Sequence, residues 1–264
     1  MSWWGKVIGG TVGFFVGGPL GAVLGASVGH GYDTFQENEG AVLPGGNERV
    51  QTVFFTATFS VMGYLAKADG RVSEEEIAAV RRIMDSMQMT GEQQKTAINL
   101  FNEGKRKDFP LDTILGQFRR ECRGRRNLVR MFLEILLTMA MADGELHESE
   151  RRILYHVAEG VGYPGAELDR LLRMMEAERQ GRRQSRSAVA SREISLNDAY
   201  GVLGLPKNVS DEDLKKTYRR LIMQYHPDTL VSKGLPEEMM NFASEKTRTI
   251  KAAYDVIRES RRRH

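Results

Sequence analysis

The tripeptide His226-Pro227-Asp228 places an imidazole two residues from a carboxylate, and both groups are used in proton transfer and in metal binding. General acid–base catalysis also requires a positioned substrate, and a metal ion requires about three or four ligands. No further His or Cys lies near the tripeptide in the sequence. We therefore predict neither catalysis nor metal binding by His226, and no catalytic residue is assigned.

A basic helix is predicted directly before the tripeptide, from Asp211 to Tyr225, with Ser210 as its N-cap. Pro227 lacks a backbone donor and disfavours helix at the residue before it, which places the tripeptide in an exposed loop between two antiparallel helices. One face of the helix is apolar and carries Leu214, Tyr218, Leu221, Ile222 and Tyr225. The other face is cationic and carries Lys215, Lys216, Arg219 and Arg220.

Two further helices are predicted to share a small core with the basic helix. The first is short, covers residues 198–205 and ends in glycine. The second follows the tripeptide and carries a stripe of apolar residues that would pack against the apolar face of the basic helix. The stripe consists of Met239, Phe242, Ile250, Ala253, Tyr254 and Ile257. A cationic helix face by itself is most often solvated surface. Taken with the tripeptide and the flanking helices, however, residues 194–264 resemble a J-domain of the DnaJ family.

The resemblance implies how this region acts. J-domains dock on the nucleotide-binding domain of a DnaK-type chaperone and stimulate its ATP hydrolysis, without a cofactor. By resemblance, partner binding falls on His226, Pro227, Asp228, Lys215, Lys216, Arg219 and Arg220. The segment from Thr229 to Pro236 departs from the family, because it is longer and more apolar than the usual loop.

The cysteine repeats of full-length DnaJ proteins are missing, and Cys122 is the only cysteine, which excludes a thiolate zinc site and an internal disulfide. We expect a reduced thiol in a cytosolic compartment.

An uncharged stretch of 23 residues runs from Val7 to Gly29. As a helix it would be about 35 Å long, against a hydrocarbon thickness of roughly 30 Å, so residues 1–31 are predicted to cross a membrane once. Trp3 and Trp4 stand where interfacial aromatic residues are expected. One alternative is a cleaved signal peptide. The other is a flexible soluble leader, because the glycines and Pro19 weaken the helix that would have to insert.

Glycine recurs at every fourth residue of this stretch, a spacing that lets two helix backbones approach closely. The glycines predicted to form a homodimer contact are Gly9, Gly13, Gly17, Gly21 and Gly25. The charged residues on either side of the stretch do not fix its orientation by the positive-inside rule. Because a J-domain needs an ATP-using chaperone, we place the C-terminal domains in the cytoplasm and the anchor in the inner membrane.

The next section begins after a linker over residues 32–47, and residues 48–178 have helical apolar spacing throughout. It contains an internal repeat at an offset of 74 residues, in which Asp69-Gly70 corresponds to Asp143-Gly144. The apolar residues Phe59, Met62, Val80 and Ile83 fall on Leu133, Leu136, Leu154 and Val157. This section resembles the TerB-like domain. The layout as a whole resembles the DjlA family of membrane-anchored J-domain co-chaperones.

The repeated acidic turns have two interpretations. Glycine permits a sharp helix exit, and acidic residues in a first helical turn suit the helix dipole, so capping explains the pattern. Binding of a divalent metal is the alternative, although the spacing lacks the ligand pattern of an EF-hand. Its candidate ligands are Asp69, Glu74, Glu75, Asp143, Glu148 and Glu150. On that alternative, the protein would be a membrane-tethered stress or metal-sensing scaffold.

Residues 179–193 contain several arginines without apolar periodicity and are predicted to be a flexible linker. The net charge of the chain is only +3, so no basic field favours specific nucleic-acid binding. Nucleotide-cradle, nucleophile-elbow and HExxH motifs are absent from the sequence. The sequence therefore predicts an all-α, non-enzymatic co-chaperone that works with a DnaK-type partner, and it does not identify the client proteins.

Overall fold

The computed structural model describes residues 18–29, 46–68, 74–142, 146–187 and 195–263. Within these ranges the secondary structure is helical and no strand occurs, which confirms the all-α prediction. The chain forms two compact units. The first unit comprises Met1–Tyr163 together with Val231–Met239, and the second comprises Pro164–Leu230 together with Met240–His264.

The helices of the first unit are α1 (Gly18–Gly29), α2 (Gly46–Leu65), α3 (Glu74–Ser86), α4 (Gly91–Gly104), α5 (Leu111–Glu121), α6 (Arg126–Ala140) and α7 (Glu148–Gly160). The helices that follow are α8 (Gly165–Ser187), α9 (Leu196–Leu203), α10 (Asp211–Tyr225), α11 (Pro227–Ser232) and α12 (Met240–Arg262). A 3-10 turn, Glu237–Met239, precedes α12.

Helix α2 is the central element of the first unit and contacts α1, α4, α5, α6 and α7. It is buried along nearly its whole length, because apolar and small residues occupy every face of the helix. Phe54 is fully buried, and its ring lies 6.0 Å from that of Phe118 in α5 and 6.3 Å from that of Phe132 in α6. This aromatic cluster joins three helices in one core.

The internal repeat predicted from the sequence has a structural counterpart. Helices α3 and α7 have the same length of 13 residues, and they begin at Glu74 and Glu148, which are 74 residues apart. Helix α3 contacts α6 of the other half, and α7 in turn contacts α2. The eight apolar repeat positions are all buried: Phe59, Met62, Val80, Ile83, Leu133, Leu136, Leu154 and Val157. The repeat therefore encodes two halves whose helices pack against each other reciprocally.

Only residues 18–29 of the predicted membrane span lie within the described part of the chain. They form α1, in which Leu20 is fully buried and donates its backbone N–H to Oε1 of Gln117 at 2.9 Å. In the part of the chain that the structure describes, no helix combines the length and the apolar character needed to cross a bilayer. Gly21 and Gly25 lie in α1, whereas Gly9, Gly13 and Gly17 lie outside the described residues.

Helices α9, α10 and α12 form the predicted three-helix core of the second unit, and α8 packs against α9. At that contact, a Cβ on Gly201 would lie 2.4 Å from the Cβ of Ala177. Helix α8 extends to Ser187, so residues 179–187 differ from the flexible linker predicted there. The reason is composition, because the Arg and Gln residues of this segment are good helix formers and no proline interrupts them.

The segment that begins in the last turn of α11 also differs from the prediction. Residues Val231–Met239, which we call the strap, pack as part of the first unit, although the chain on either side belongs to the second. Leu235 and Met239 in the strap are fully buried. Met239 was predicted to belong to the apolar stripe of α12, but it ends the strap. The other five members of that stripe lie in α12, and four of them are buried.

Candidate functional site

The tripeptide lies at the junction of α10 and α11. His226 ends α10 with extended backbone angles, φ −60° and ψ 124°, as expected for a residue before proline. The sequence predicts a loop at Pro227 and Asp228, but both residues lie in the first turn of α11. The reason is that proline at the first helical position has a suitable φ and loses no hydrogen bond there. The motif therefore makes a sharp bend with helix on both sides.

The two ionisable side chains of the motif point into solvent. The side chain of His226 is 48% exposed and that of Asp228 is 85% exposed. Nδ1 of His226 lies 3.9 Å from Oδ2 of Asp228, which is too long for a hydrogen bond. Both groups thus keep hydrogen-bonding capacity that a partner can use. Two exposed groups at this distance do not form an oriented acid–base pair.

The bend is held by backbone and side-chain hydrogen bonds. The backbone N–H of Leu230 donates to the carbonyl oxygen of His226 at 3.1 Å. The hydroxyl of Thr247 in α12 donates to the carbonyl oxygen of Tyr225 at 3.1 Å, which satisfies an end group of α10. Leu230 itself is fully buried. The exposed motif is therefore attached to ordered structure on each side.

Helix α10 has the boundaries and the two faces that the sequence predicts. The Ser210 hydroxyl accepts a hydrogen bond from the backbone N–H of Asp213 at 3.1 Å, which confirms the predicted N-cap. Leu214, Leu221 and Tyr225 are buried. The cationic residues Lys215, Lys216, Arg219 and Arg220 are all exposed. The structure thus brings the tripeptide and the basic residues together on one helix and its end.

Met223 was not singled out from the sequence, yet it is the most exposed of the large apolar side chains of the described residues, at 70%. It lies on α10 one turn before His226 and one turn after Arg219. A flexible, polarisable thioether suits contact with a partner surface. The sequence does contain a signal for this exposure, because Met223 lies outside the apolar stripe of α10.

Arg261 lies in the basic C-terminal run but has an internal role. Its Nε donates to the Tyr200 hydroxyl at 3.0 Å, Nη2 donates to the carbonyl oxygen of Val209 at 2.8 Å, and Nη1 is paired with Asp211. The hydrogen bond with Tyr200, followed by that with Asp211, raises the pKa of the guanidinium above its ordinary value. Arg261 therefore joins α12 to α9 and to the start of α10.

The acidic turns are described only in part. Asp69, Asp143 and the side chain of Glu75 lie outside the described residues. Glu150 is buried, and its Oε2 accepts a hydrogen bond from the backbone N–H of His147 at 3.0 Å, as a capping residue does. Across the described ranges, no three His, Cys, Asp or Glu side chains are grouped so that they can hold a metal ion. Glu150 thus serves as a helix cap.

Comparison with known families divides the chain in the same order as the sequence motifs. Residues 1–49 match the co-chaperone DjlA transmembrane domain, residues 55–173 match tellurite resistance protein TerB, and residues 198–264 match the DnaJ domain. The co-chaperone protein DjlA of Coxiella burnetii is 41% identical over 99% of this chain and 99% of its own length. This chain belongs to the DjlA family of co-chaperones.

Other DjlA proteins give the same result. The Escherichia coli K12 protein is 41% identical over 99% of both chains. The Photobacterium profundum protein is 40% identical over 98% of this chain and 99% of its own. No solved structure matches the chain. Membership in the DjlA family makes this protein a J-domain co-chaperone with a TerB region and an N-terminal transmembrane domain.

Proposed function

We propose that this co-chaperone recruits a DnaK-type chaperone through His226, Pro227 and Asp228 and stimulates its ATP hydrolysis. The observation that carries the proposal is the exposure of both ionisable groups of the motif at the end of an ordered helix. A rigid, exposed motif loses little conformational entropy on binding, because its backbone is already fixed. The protein itself acts as a binding partner, and no group of the motif is assigned to a chemical step.

The cationic face of α10 assists this recruitment. Lys215, Lys216, Arg219 and Arg220 lie on the helix that ends at the motif, so an acidic partner surface would be drawn to the motif as well. Exposed charges of this kind accelerate encounter and set orientation more than they add affinity. We assign them to docking, and we assign Met223 to an apolar contact beside them.

The N-terminal region anchors the protein in the inner membrane with a single crossing. The support is the uncharged 23-residue stretch, which is long enough for one span. The C-terminal domains face the cytoplasm, where a DnaK-type partner finds ATP. A reporter that is active only in the cytoplasm, fused after His264, tests this orientation. Activity of the intact fusion supports it, and an inactive but intact fusion contradicts it.

Gly9, Gly13, Gly17, Gly21 and Gly25 form the contact of a homodimer in the membrane, since small residues four apart let helices approach closely. The test is the oligomeric state of the full-length protein in lipid nanodiscs or detergent. Replacing Gly13 and Gly17 with leucine should convert dimer to monomer. Replacing Val12 and Val16 with leucine is the matched control. Equal dimer fractions for both pairs would argue against the glycine contact.

The decisive experiment on recruitment measures steady-state ATP hydrolysis by a DnaK-type chaperone with the full-length protein added. His226→Gln should abolish most of the stimulation, because it removes an exposed group of the motif without disturbing the core. His156→Gln is the matched control, since it makes the same exchange at an exposed histidine of α7. Equal stimulation by the wild type and His226→Gln, with both folded, would overturn the proposal.

A further inference from the structure

The strap is held by polar contacts to the helices of the first unit. Arg125, at the start of α6, donates through Nη1 to the carbonyl oxygen of Lys233 and to Oδ1 of Asn47 at 3.0 Å. Nδ2 of Asn47 donates in turn to the carbonyl oxygen of Ser232 at 3.3 Å. The contact between Asn47 and Ser232 joins residues 185 positions apart in the sequence. Two of these contacts are made to backbone carbonyl oxygens of the strap, so they do not depend on its side chains.

The middle of the strap fits closely against α2. Gly234 has φ +94°, a conformation that favours glycine, and a Cβ there would lie 2.8 Å from Cγ1 of Val50. Leu235 is fully buried, and its carbonyl oxygen accepts from Nε2 of Gln51 at 3.4 Å. Burial of a leucine side chain contributes about 1.5–3 kcal/mol relative to its exposure. The strap is thus packed rather than merely adjacent.

A third contact lies at the end of the strap. Nε2 of Gln93 donates to Oε1 of Glu238 at 2.6 Å, while Oε1 of the same glutamine accepts from the backbone N–H of Thr90. Gln93 therefore caps α4 and binds the strap with the two ends of one amide group. Because its side chain is fixed by the cap, little entropy is lost when it holds Glu238.

The strap and the recognition motif share one short helix. Helix α11 contains Pro227 and Asp228 in its first turn, and the first two residues of the strap, Val231 and Ser232, in its last. The backbone N–H of Gly234 donates to the carbonyl oxygen of Val231 at 2.9 Å, which continues the turn into the strap. Whatever fixes the strap therefore also restrains the helix that begins with the motif.

We propose that the strap is a docking segment through which the TerB-containing unit orders α11 and so prepares the motif for its partner. His226 and Asp228 remain exposed while the strap is docked, so docking orders the motif and does not cover it. The effect on the chaperone rests on the function proposed above, whereas the docking itself does not. When α11 is ordered for only part of the time, the apparent affinity of the partner falls by that fraction.

Hydrogen exchange of the full-length protein tests the docking without any chaperone. Arg125→Ala removes the contact with Lys233, and Leu235→Ala truncates a fully buried side chain of the strap. Both should speed exchange of the Leu230 and Gly234 amides about tenfold or more, because local opening becomes easier. Arg123→Ala, an exposed arginine on the preceding turn, is the matched control and should leave the rates unchanged. Gly234→Ala should also speed exchange, because alanine strains the backbone at φ +94° and its Cβ would meet Cγ1 of Val50 at 2.8 Å.

ATPase stimulation by the same proteins tests the consequence. Arg125→Ala and Leu235→Ala should raise the co-chaperone concentration for half-maximal stimulation about three- to tenfold, with the maximal rate preserved. Unchanged amide exchange in all three strap variants would overturn the docking. Faster exchange with an unchanged or lower half-maximal concentration would overturn the ordering of the motif. If His226→Gln stimulates as well as the wild type, only the proposed function fails, and amide exchange still decides the docking.

Discussion

Tyr218 of α10 stacks on Tyr254 of α12, with ring centroids 4.1 Å apart and ring planes inclined by 15°. Arg258 lies over the Tyr254 ring, with its guanidinium carbon 5.8 Å from the centroid. The stack joins the helix that carries the basic face and the motif to the helix that supports it. Aromatic pairs of this kind add about 0.5–1.5 kcal/mol beyond the area they bury.

Replacing Tyr254 by alanine should therefore weaken the second unit. We expect Tyr254→Ala to lower the free energy of unfolding by about 1–3 kcal/mol, since it loses the stack and part of the buried area. Tyr254→Phe keeps the ring and should change stability by less than about 0.5 kcal/mol. Urea denaturation followed by circular dichroism measures both. A large loss in Tyr254→Phe would show that the hydroxyl, not the stack, is responsible.

The crossing of α2 and α4 depends on glycine. A Cβ on Gly63 would lie 1.9 Å from the carbonyl oxygen of Phe101, and a Cβ on Gly104 would lie 1.8 Å from that of Ser60. Gly63→Ala should lower the free energy of unfolding by about 3 kcal/mol or more, because backbone must move to admit the methyl group. Thermal denaturation of the full-length protein measures the loss.

Gly116 in α5 provides the matched control for this prediction. The nearest atom to a Cβ there is Nη1 of Arg120, at 3.9 Å, so a methyl group fits. Gly116→Ala should be neutral or raise stability by up to about 1 kcal/mol through helix propensity. Equal destabilisation by Gly63→Ala and Gly116→Ala would contradict the close crossing.

The basic face of α10 should act mainly through electrostatic attraction. Replacing Lys215 and Lys216 together with glutamine should raise the half-maximal concentration for ATPase stimulation about three- to tenfold at low salt, with less effect as salt increases. The comparison is made at about 0.05 M and 0.3 M salt, where the screening length differs about 2.5-fold. Lys207→Gln, at an exposed lysine before α10, is the control. A salt-independent loss would point to a structural defect instead.

Cys122 should make stability depend on alkaline pH. Burial raises the pKa of its thiol from 9.0 to about 12. Between those values the unfolded thiol loses its proton while the folded thiol keeps it, so the free energy of unfolding falls as pH rises. The slope from this group is at most about 1.4 kcal/mol per pH unit.

Urea denaturation at several values above about pH 9 compares the wild type with Cys122→Ala, which lacks this ionisation. The difference in free energy of unfolding between the two proteins should shrink or reverse in favour of the variant as pH rises. The buried thiol should also resist thiol reagents in the native state, because the reactive species is the thiolate. Rapid native labelling, or parallel pH profiles, would contradict the shifted pKa.

Several features of this protein follow from local sequence. The bounds of α10, its Ser210 cap and its two faces are set by helical periodicity, by a side chain that accepts a nearby N–H, and by Pro227. The repeat of the central section aligns eight apolar positions in the sequence, and all eight are buried in the structure. Such features depend on residues within a few turns of one another, which is why the sequence is sufficient to predict them.

Other features depend on which distant residues meet. Met223 is exposed because of where α10 packs, Arg261 is internal because Tyr200 and Asp211 lie within its reach, and Gly63 is required because Phe101 crosses beside it. The strap is the clearest case, since Gln51 and Leu235 are 184 residues apart. The sequence alone determined the motif, the basic face and the helical repeat, because these features depend on the types of residues that stand a few positions apart. Only the tertiary structure decided that the strap packs with the first unit. The reason is that the fit of an apolar segment depends on the three-dimensional shape of the surface it meets, which local spacing does not specify.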